Sequence, residues 1–76
     1  MLTVKLEHQQ EGRLRIIECK AVSVAYTNGH AALTLETDDL TEYQFVLDNK
    51  QSTYNVAYVE NSAGQTTQVV RPRRQG

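Results

Sequence analysis

The dipeptide Asn28-Gly29 constrains the fold of this chain more than any other feature of the sequence. Both central residues of a type I′ turn need a positive φ, which asparagine and glycine tolerate better than other residues. Apolar residues alternate with small or polar ones on both sides of the dipeptide: Val22, Val24 and Tyr26 precede it, and Leu33 and Leu35 follow it. We therefore predict a β-hairpin with a two-residue loop at this point.

Period-two alternation predicts further strands along the chain. They lie at residues 2–8, from Arg13 onward, and at 54–60 and 65–71. After Arg13 the alternation changes phase twice, first at Ile17 and again at Val22. Such changes indicate β-bulges or a strand that passes from one sheet to another. The alternative is a break within residues 18–21 that divides the stretch into two strands.

Segment 37–47 allows two interpretations. Residues 37–40, Thr-Asp-Asp-Leu, predict a turn that is followed by a strand with Tyr43, Phe45 and Leu47 on the inward face. Alternatively, Asp38 or Asp39 caps a short helix, because Leu40, Tyr43 and Leu47 also have helical spacing. We favour the strand, since residues 43–47 form a short run rich in residues that suit a sheet.

Together, the predicted strands and turns indicate an all-β fold. We expect six or seven antiparallel strands in a meander that forms a small barrel or a two-layer sandwich, with one short helix if the alternative interpretation of 38–47 holds. Residues 61–64 are predicted to form a hairpin loop before the last strand. Pro72 ends that strand because proline has no amide hydrogen to donate. Residues 1–71 are therefore predicted to be one domain and residues 72–76 a flexible tail.

The small size of the chain limits how it can be stabilised. A domain of 76 residues has a thin core, and scaffolds below roughly 70–80 residues often depend on disulfides, a metal or a partner subunit. The chain has one cysteine, Cys19, and two histidines, so neither an intrachain disulfide nor a four-ligand zinc site can form. We therefore expect a homo-oligomer.

None of the residues that could carry chemistry sits in a catalytic or metal-binding pattern. Cys19 lies between Ile17 and Ala21 on a predicted inward face, which is typical of a small buried hydrophobe. His8 and His30 lie next to turns, outside any metal-ligand motif. Three acids of the middle segment lack calcium-loop spacing and are typical of a solvated turn: Asp38, Asp39 and Glu42. The sequence thus predicts no enzymatic activity, no metal and no cofactor.

The interaction candidates lie in the last third of the chain. Tyr54 and Tyr58 are expected on one strand face, where they serve either the core or an interface, since tyrosine is enriched at interfaces. Arg71, Arg73 and Arg74 could grip a phosphate group, and a solubilising tail is the alternative.

One segment resembles a known group of proteins. Residues 57–67, Ala-Tyr-Val-Glu-Asn-Ser-Ala-Gly-Gln-Thr-Thr, are similar to a hairpin near the C-terminus of small, uncharacterised all-β proteins encoded by bacteriophages and prophages. The segment from Leu14 to Cys19 is also similar to parts of such proteins. The resemblance implies a phage or prophage context and transfers no functional residue.

These observations favour a binding role. We predict a non-enzymatic, phage-like interaction protein that binds a host or phage partner, with inhibition of host defence as one form of that role. The alternatives are an oligomeric binder of a small ligand such as a nucleotide, and a structural or assembly protein of a virion. The net charge of −1 argues against nucleic-acid binding. We expect no membrane span and a location in the cytoplasm, the host's if the protein is phage-encoded.

Overall fold

The computed structural model describes residues 1–50 and 53–73, and its architecture is all-β. Within these residues there are seven strands and no helix: β1 (Leu2–His8), β2 (Leu14–Cys19), β3 (Ala21–Thr27), β4 (His30–Glu36), β5 (Glu42–Leu47), β6 (Tyr54–Glu60) and β7 (Thr66–Val70). The predicted fold class is confirmed, and the two sheets do not close into a barrel. The alternative of a short helix at 38–47 is wrong, because the pairing of β5 with β4 holds that segment extended.

The seven strands form two antiparallel sheets. Sheet A has four strands in the order β2-β1-β6-β7, and sheet B has three in the order β3-β4-β5. Sheet B is a simple meander. Sheet A instead joins two hairpins through a long-range pairing of β1 with β6, in which Val4 lies opposite Val59 and Leu6 opposite Ala57. The predicted meander through all strands is therefore wrong for sheet A, because strands that are distant in sequence pair at its centre.

A single residue, Lys20, carries the chain from sheet A to sheet B. Cys19 ends β2 in the first sheet and Ala21 begins β3 in the second. The amide of Lys20 donates a hydrogen bond of 2.8 Å to the carbonyl of Glu36, which ties the crossing to the end of β4. The alternative of a break within residues 18–21 is therefore confirmed, and the second phase change at Val22 marks the arrival in sheet B. The first phase change, at Ile17, marks no bulge, because β2 pairs with β1 without a shift of register.

Two hairpin turns have the backbone conformation that their residues predict. Asn28 and Gly29 have φ values of 52° and 82°, and Thr27 pairs with His30, as a two-residue type I′ loop requires. At residues 61–64, the side-chain carbonyl of Asn61 accepts hydrogen bonds from the amides of Ala63 and Gln65, both at 3.0 Å. Both predicted turns are confirmed.

The core lies between the inward faces of the two sheets. In sheet B, Val24, Leu33 and Phe45 form one cross-strand row that faces sheet A. The cluster of buried residues draws on both sheets and contains Val4, Leu6, Cys19, Ala31, Leu33, Leu35, Leu47, Ala57, Val59 and Val70. Most members are small or medium aliphatic residues, so each of the larger leucines accounts for a substantial share of the apolar burial.

Candidate interaction surfaces

Tyr54 belongs to the core side of sheet A, not to the face that Tyr58 occupies. Its ring meets those of His8 and Phe45 edge to face, with centroid separations of 5.8 Å in both pairs. The pairing of β1 with β6 shifts here, since Glu7 lies opposite Val56 but His8 lies opposite Tyr54, which leaves Asn55 as an extra residue. This β-bulge breaks the alternation, so the expectation that Tyr54 and Tyr58 share a face is wrong.

Tyr58 lies on the outer face of sheet A, in a row that crosses all four strands. Lys5 is opposite both Ile16 and Tyr58, and Tyr58 is opposite Val69. Ile16 and Val69 are 59% and 44% exposed, and Leu14 on the same face is 48% exposed. We call these five residues the sheet A outer face. Three of its members are large aliphatic side chains in contact with solvent.

The outer face of sheet B provides an internal comparison. Its middle row consists of Ser23, Thr34 and Gln44. An antiparallel sheet with one solvated face normally presents polar residues there, and this row follows that pattern. The neighbouring row is Ala25, Ala32 and Val46, and Val46 is the one large apolar side chain that this face exposes among the described residues. The sheet A outer face exposes three.

The three C-terminal arginines do not form one cluster. Arg71 is exposed directly after β7. Arg73 contacts the β3–β4 hairpin, because its amide donates a 2.9 Å hydrogen bond to the carbonyl of Gly29 and its guanidinium lies 3.9 Å from the ring centroid of Tyr26. Arg74 lies outside the described residues, and the flexibility of residues 72–76 stays a prediction. The interaction candidates of the sequence are thus spread over separate parts of the molecule.

A surface cleft of about 500 Å³ opens beside Arg73. Asp48 lies at its edge as a buried residue, and its part-buried carboxylate accepts hydrogen bonds from the Thr53 hydroxyl and, at 2.9 Å, from the Lys50 amide. The hydrogen bond from Thr53, followed by that from the Lys50 amide, holds the pKa of Asp48 below its usual value. Asp48 therefore organises the loop between β5 and β6.

The turn between β4 and β5 contains a residue, Leu40, to which the sequence pattern assigned no functional role. Leu40 has a φ of 66° and is 76% exposed, the largest value among the large apolar side chains in residues 1–50 and 53–73. Its amide donates a 3.1 Å hydrogen bond to the carbonyl of Thr37, and the Thr37 amide donates one of 3.0 Å to the carbonyl of Thr41. A positive φ is rare for a bulky residue, because its Cβ crowds the following carbonyl.

The β6–β7 turn has the same hydrogen-bond pattern, with glycine in the position of Leu40. The Gly64 amide donates to the carbonyl of Asn61, the Asn61 amide donates to the carbonyl of Gln65, and Gly64 has a φ of 81°. The molecule therefore builds one turn type twice, once with the residue that suits it and once with a leucine.

This comparison predicts that Leu40→Gly stabilises the fold. The left-handed conformation costs an L-residue about 1–2 kcal/mol, and part of the gain is offset by the greater chain entropy of glycine when unfolded. We expect the free energy of unfolding in urea to rise by about 1 kcal/mol. The reciprocal variant Gly64→Leu has open space for its side chain, so we expect it to lose a similar amount through the backbone alone. If the free energy of unfolding of Leu40→Gly does not exceed that of the wild type, the strain assigned to Leu40 is contradicted.

The surroundings of Leu40 are acidic. Asp38 and Asp39 precede it in the turn, and Glu36 lies directly opposite Glu42 at the adjoining strand ends. The hydroxyl of Thr37 donates to the Asp39 carboxylate, which also accepts a 3.3 Å hydrogen bond from the Thr41 amide. These bonds, that from the Thr37 side chain first, lower the pKa of Asp39. We call residues 36–42 the acidic tip.

The remaining chemical candidates are separated by the fold. Cys19 is buried in the core, and burial raises the pKa of its thiol. His8 meets Tyr54 edge to face, whereas His30 lies beside the β3–β4 turn. Among the described residues, no group of three or more histidines, cysteines or acids could hold a metal ion. Nor does that part of the chain include a helix long and apolar enough to cross a membrane.

Comparisons with protein families, with curated proteins and with solved structures found no match for this chain.

Proposed function

We propose that this chain is a non-enzymatic protein-binding domain that engages a host or phage protein through the acidic tip, with Leu40 as the anchor. The observation that carries the proposal is the position of Leu40, an exposed leucine in a left-handed conformation. The bacteriophage context rests on the resemblance of residues 57–67, and inhibition of host defence is the form of binding that this context suggests.

Leu40 is unfavourable for the isolated domain in two respects. Its backbone conformation costs free energy that glycine or asparagine would save. Its side chain also leaves a large apolar surface in water. Strained residues of this kind cluster at functional sites, where a gain in stability on relaxing them is commonly accompanied by a loss of activity.

The charges around Leu40 define the kind of partner. The acidic tip contains Glu36, Asp38, Asp39 and Glu42, and the nearest compensating ion pair joins Lys20 to Glu36 at 3.4 Å. Two of the acids face each other across the strands, which disfavours the hairpin on its own. An apolar pocket with a basic rim would bury Leu40 and relieve this repulsion. Such a partner would bind faster at low salt.

The nucleotide-binding alternative receives less support. It needs tyrosines and arginines that converge on one ligand, but Tyr54 packs in the core, Tyr58 lies on the sheet A outer face and Arg73 already stacks on Tyr26.

The test compares two exposed apolar side chains truncated to alanine. The wild type, Leu40→Ala and Val46→Ala are immobilised and exposed to a lysate of a bacterial host, and retained proteins are identified by mass spectrometry. Val46 is the matched control because it is 53% exposed on the outer face of sheet B. Alanine keeps the strain at position 40, so Leu40→Ala should leave stability within about 0.5 kcal/mol of the wild type.

We expect one partner to be retained by the wild type and by Val46→Ala, and lost from Leu40→Ala. Its affinity, measured with the purified partner, should fall as salt concentration rises. Equal retention by Leu40→Ala, or the absence of any specific partner, would refute the proposal.

A further inference from the structure

We propose that the sheet A outer face binds a second copy of this chain, in a dimer whose two-fold axis lies parallel to the strands between β1 and β6. The acidic tip plays no part in this contact, so the inference is independent of the proposed function. It rests on the apolar character of the face, on its symmetry and on its charges.

The exposed apolar side chains of this face indicate that another protein surface covers them. Leu14, Ile16 and Val69 are each between 44% and 59% exposed on one side of one sheet. Grouped apolar residues on an otherwise polar surface mark interaction sites, whereas single ones do not. The outer face of sheet B, by comparison, exposes one large aliphatic side chain among the described residues, Val46.

The order of residues in the central row makes the face complementary to itself. Ile16, Lys5, Tyr58 and Val69 follow one another across β2, β1, β6 and β7. A two-fold axis parallel to the strands, midway between β1 and β6, places Ile16 of one copy over Val69 of the other. It also places Lys5 over the ring of Tyr58, a favourable cation–π arrangement.

Charge distinguishes this axis from the other simple two-fold arrangement. An axis along the row would place Lys5 over Lys5 of the second copy, which is repulsive. Within each copy, Lys5 forms a 2.9 Å ion pair with Glu60. Two further acids lie on the same face, Glu7 opposite Leu14 and Glu18 opposite Thr3. The axis parallel to the strands places Glu7 and Glu18 of one copy over Val56 and Thr66 of the other, so no two like charges face each other.

The size of the face sets the expected strength of the dimer. Four strands about 4.8 Å apart and about 20 Å long present roughly 300–400 Å². That is less than the ~800 Å² per partner of a standard stable interface. The contact should therefore be reversible and should depend on protein concentration.

The first experiment measures solution mass by sedimentation equilibrium between about 1 μM and 1 mM. We expect a monomer–dimer equilibrium for the wild type, for the control Gln44→Glu on the outer face of sheet B, and for Leu40→Ala. Ile16→Glu should weaken the dimer by about tenfold or more, because it buries an uncompensated charge. If Ile16→Glu fails to fold by circular dichroism, Val69→Lys tests the other end of the row.

The second experiment tests the axis by cross-linking introduced cysteines with a short bismaleimide, because facing sheets pack about 10 Å apart and a disulfide joins Cα atoms only up to about 7 Å apart. Because Cys19 is buried, the reagent should report only cysteines introduced on the surface. An equimolar mixture of Ile16→Cys and Val69→Cys should yield more covalent dimer than either variant alone. A wild type that is monomeric throughout the range would overturn the inference, as would preferential cross-linking of Ile16→Cys to itself. If the wild type dimerises as expected but retains no specific partner from the lysate, the result counts against the proposed function alone.

Discussion

Leu33→Ala is expected to lower the free energy of unfolding by about 3 kcal/mol, within the range measured for buried leucines in other proteins. Leu33 is fully buried in the central strand of sheet B, with Val24 and Phe45 on its two sides. Its row faces sheet A, so the variant leaves a cavity between the two sheets that flanking strands can fill only by separating from their partners. A domain of this length should have a total free energy of unfolding of roughly 4–11 kcal/mol, so the variant should lose a large fraction of its stability.

The matched control is Leu40→Ala, which removes the same atoms from an exposed position. We expect it to change stability by less than about 0.5 kcal/mol. Urea unfolding followed by circular dichroism measures both variants, and the slope of the transition should stay constant if only the folded state is affected. Similar losses in the two variants would mean that Leu33 is not part of a packed core.

Asp48→Asn is expected to destabilise the domain at pH 7 by about 1–2 kcal/mol, because hydrogen bonds to a charged acceptor are worth more than those to a neutral amide. The carboxylate receives its bonds from the Thr53 hydroxyl and the Lys50 amide at a part-buried position. Both donors would then share a weaker acceptor, and the loop between β5 and β6 would lose order. Asp38→Asn, at an exposed turn position, is the control and should have little effect.

The pH dependence of Asp48 has a definite sign. Its hydrogen bonds hold its pKa in the folded state below the unfolded value of about 3.9. The stabilisation is therefore complete above the unfolded pKa and is lost as the pH falls through the folded pKa. Wild type and Asp48→Asn should differ at pH 7 and converge in strong acid. A difference that stays constant from pH 7 to pH 2 would contradict this role.

Local sequence signals predicted the strands and turns well, because each depends on a few neighbouring residues. The Asn28-Gly29 turn, the turn at 61–64 and the strand through Phe45 all follow from alternation and from the φ values that particular residues tolerate. The change of phase after Cys19 likewise marked the crossing between sheets.

Long-range pairing was not predictable in the same way. Alternation tells which residues share a face but does not tell which strand lies alongside, so nothing in the sequence pointed to the pairing of β1 with β6. Tyr54 was assigned to the wrong face because a one-residue bulge at Asn55 leaves no pattern of its own. The contact of Arg73 with Tyr26 likewise depends on how distant segments meet.

Leu40 was missed for a related reason. The Thr-Asp-Asp pattern predicts a turn, but leucine is not a residue that signals a left-handed conformation. Only the backbone angle, set beside that of Gly64 in the second turn, reveals its cost.

The central claim is that Leu40 is retained for binding at the expense of stability. The most direct test is to measure, on one preparation of Leu40→Gly, both the free energy of unfolding in urea and the affinity for the partner captured by the wild type. We predict that stability rises by about 1 kcal/mol while binding is lost. A variant that gains no stability, or that binds the partner as tightly as the wild type, would contradict the claim.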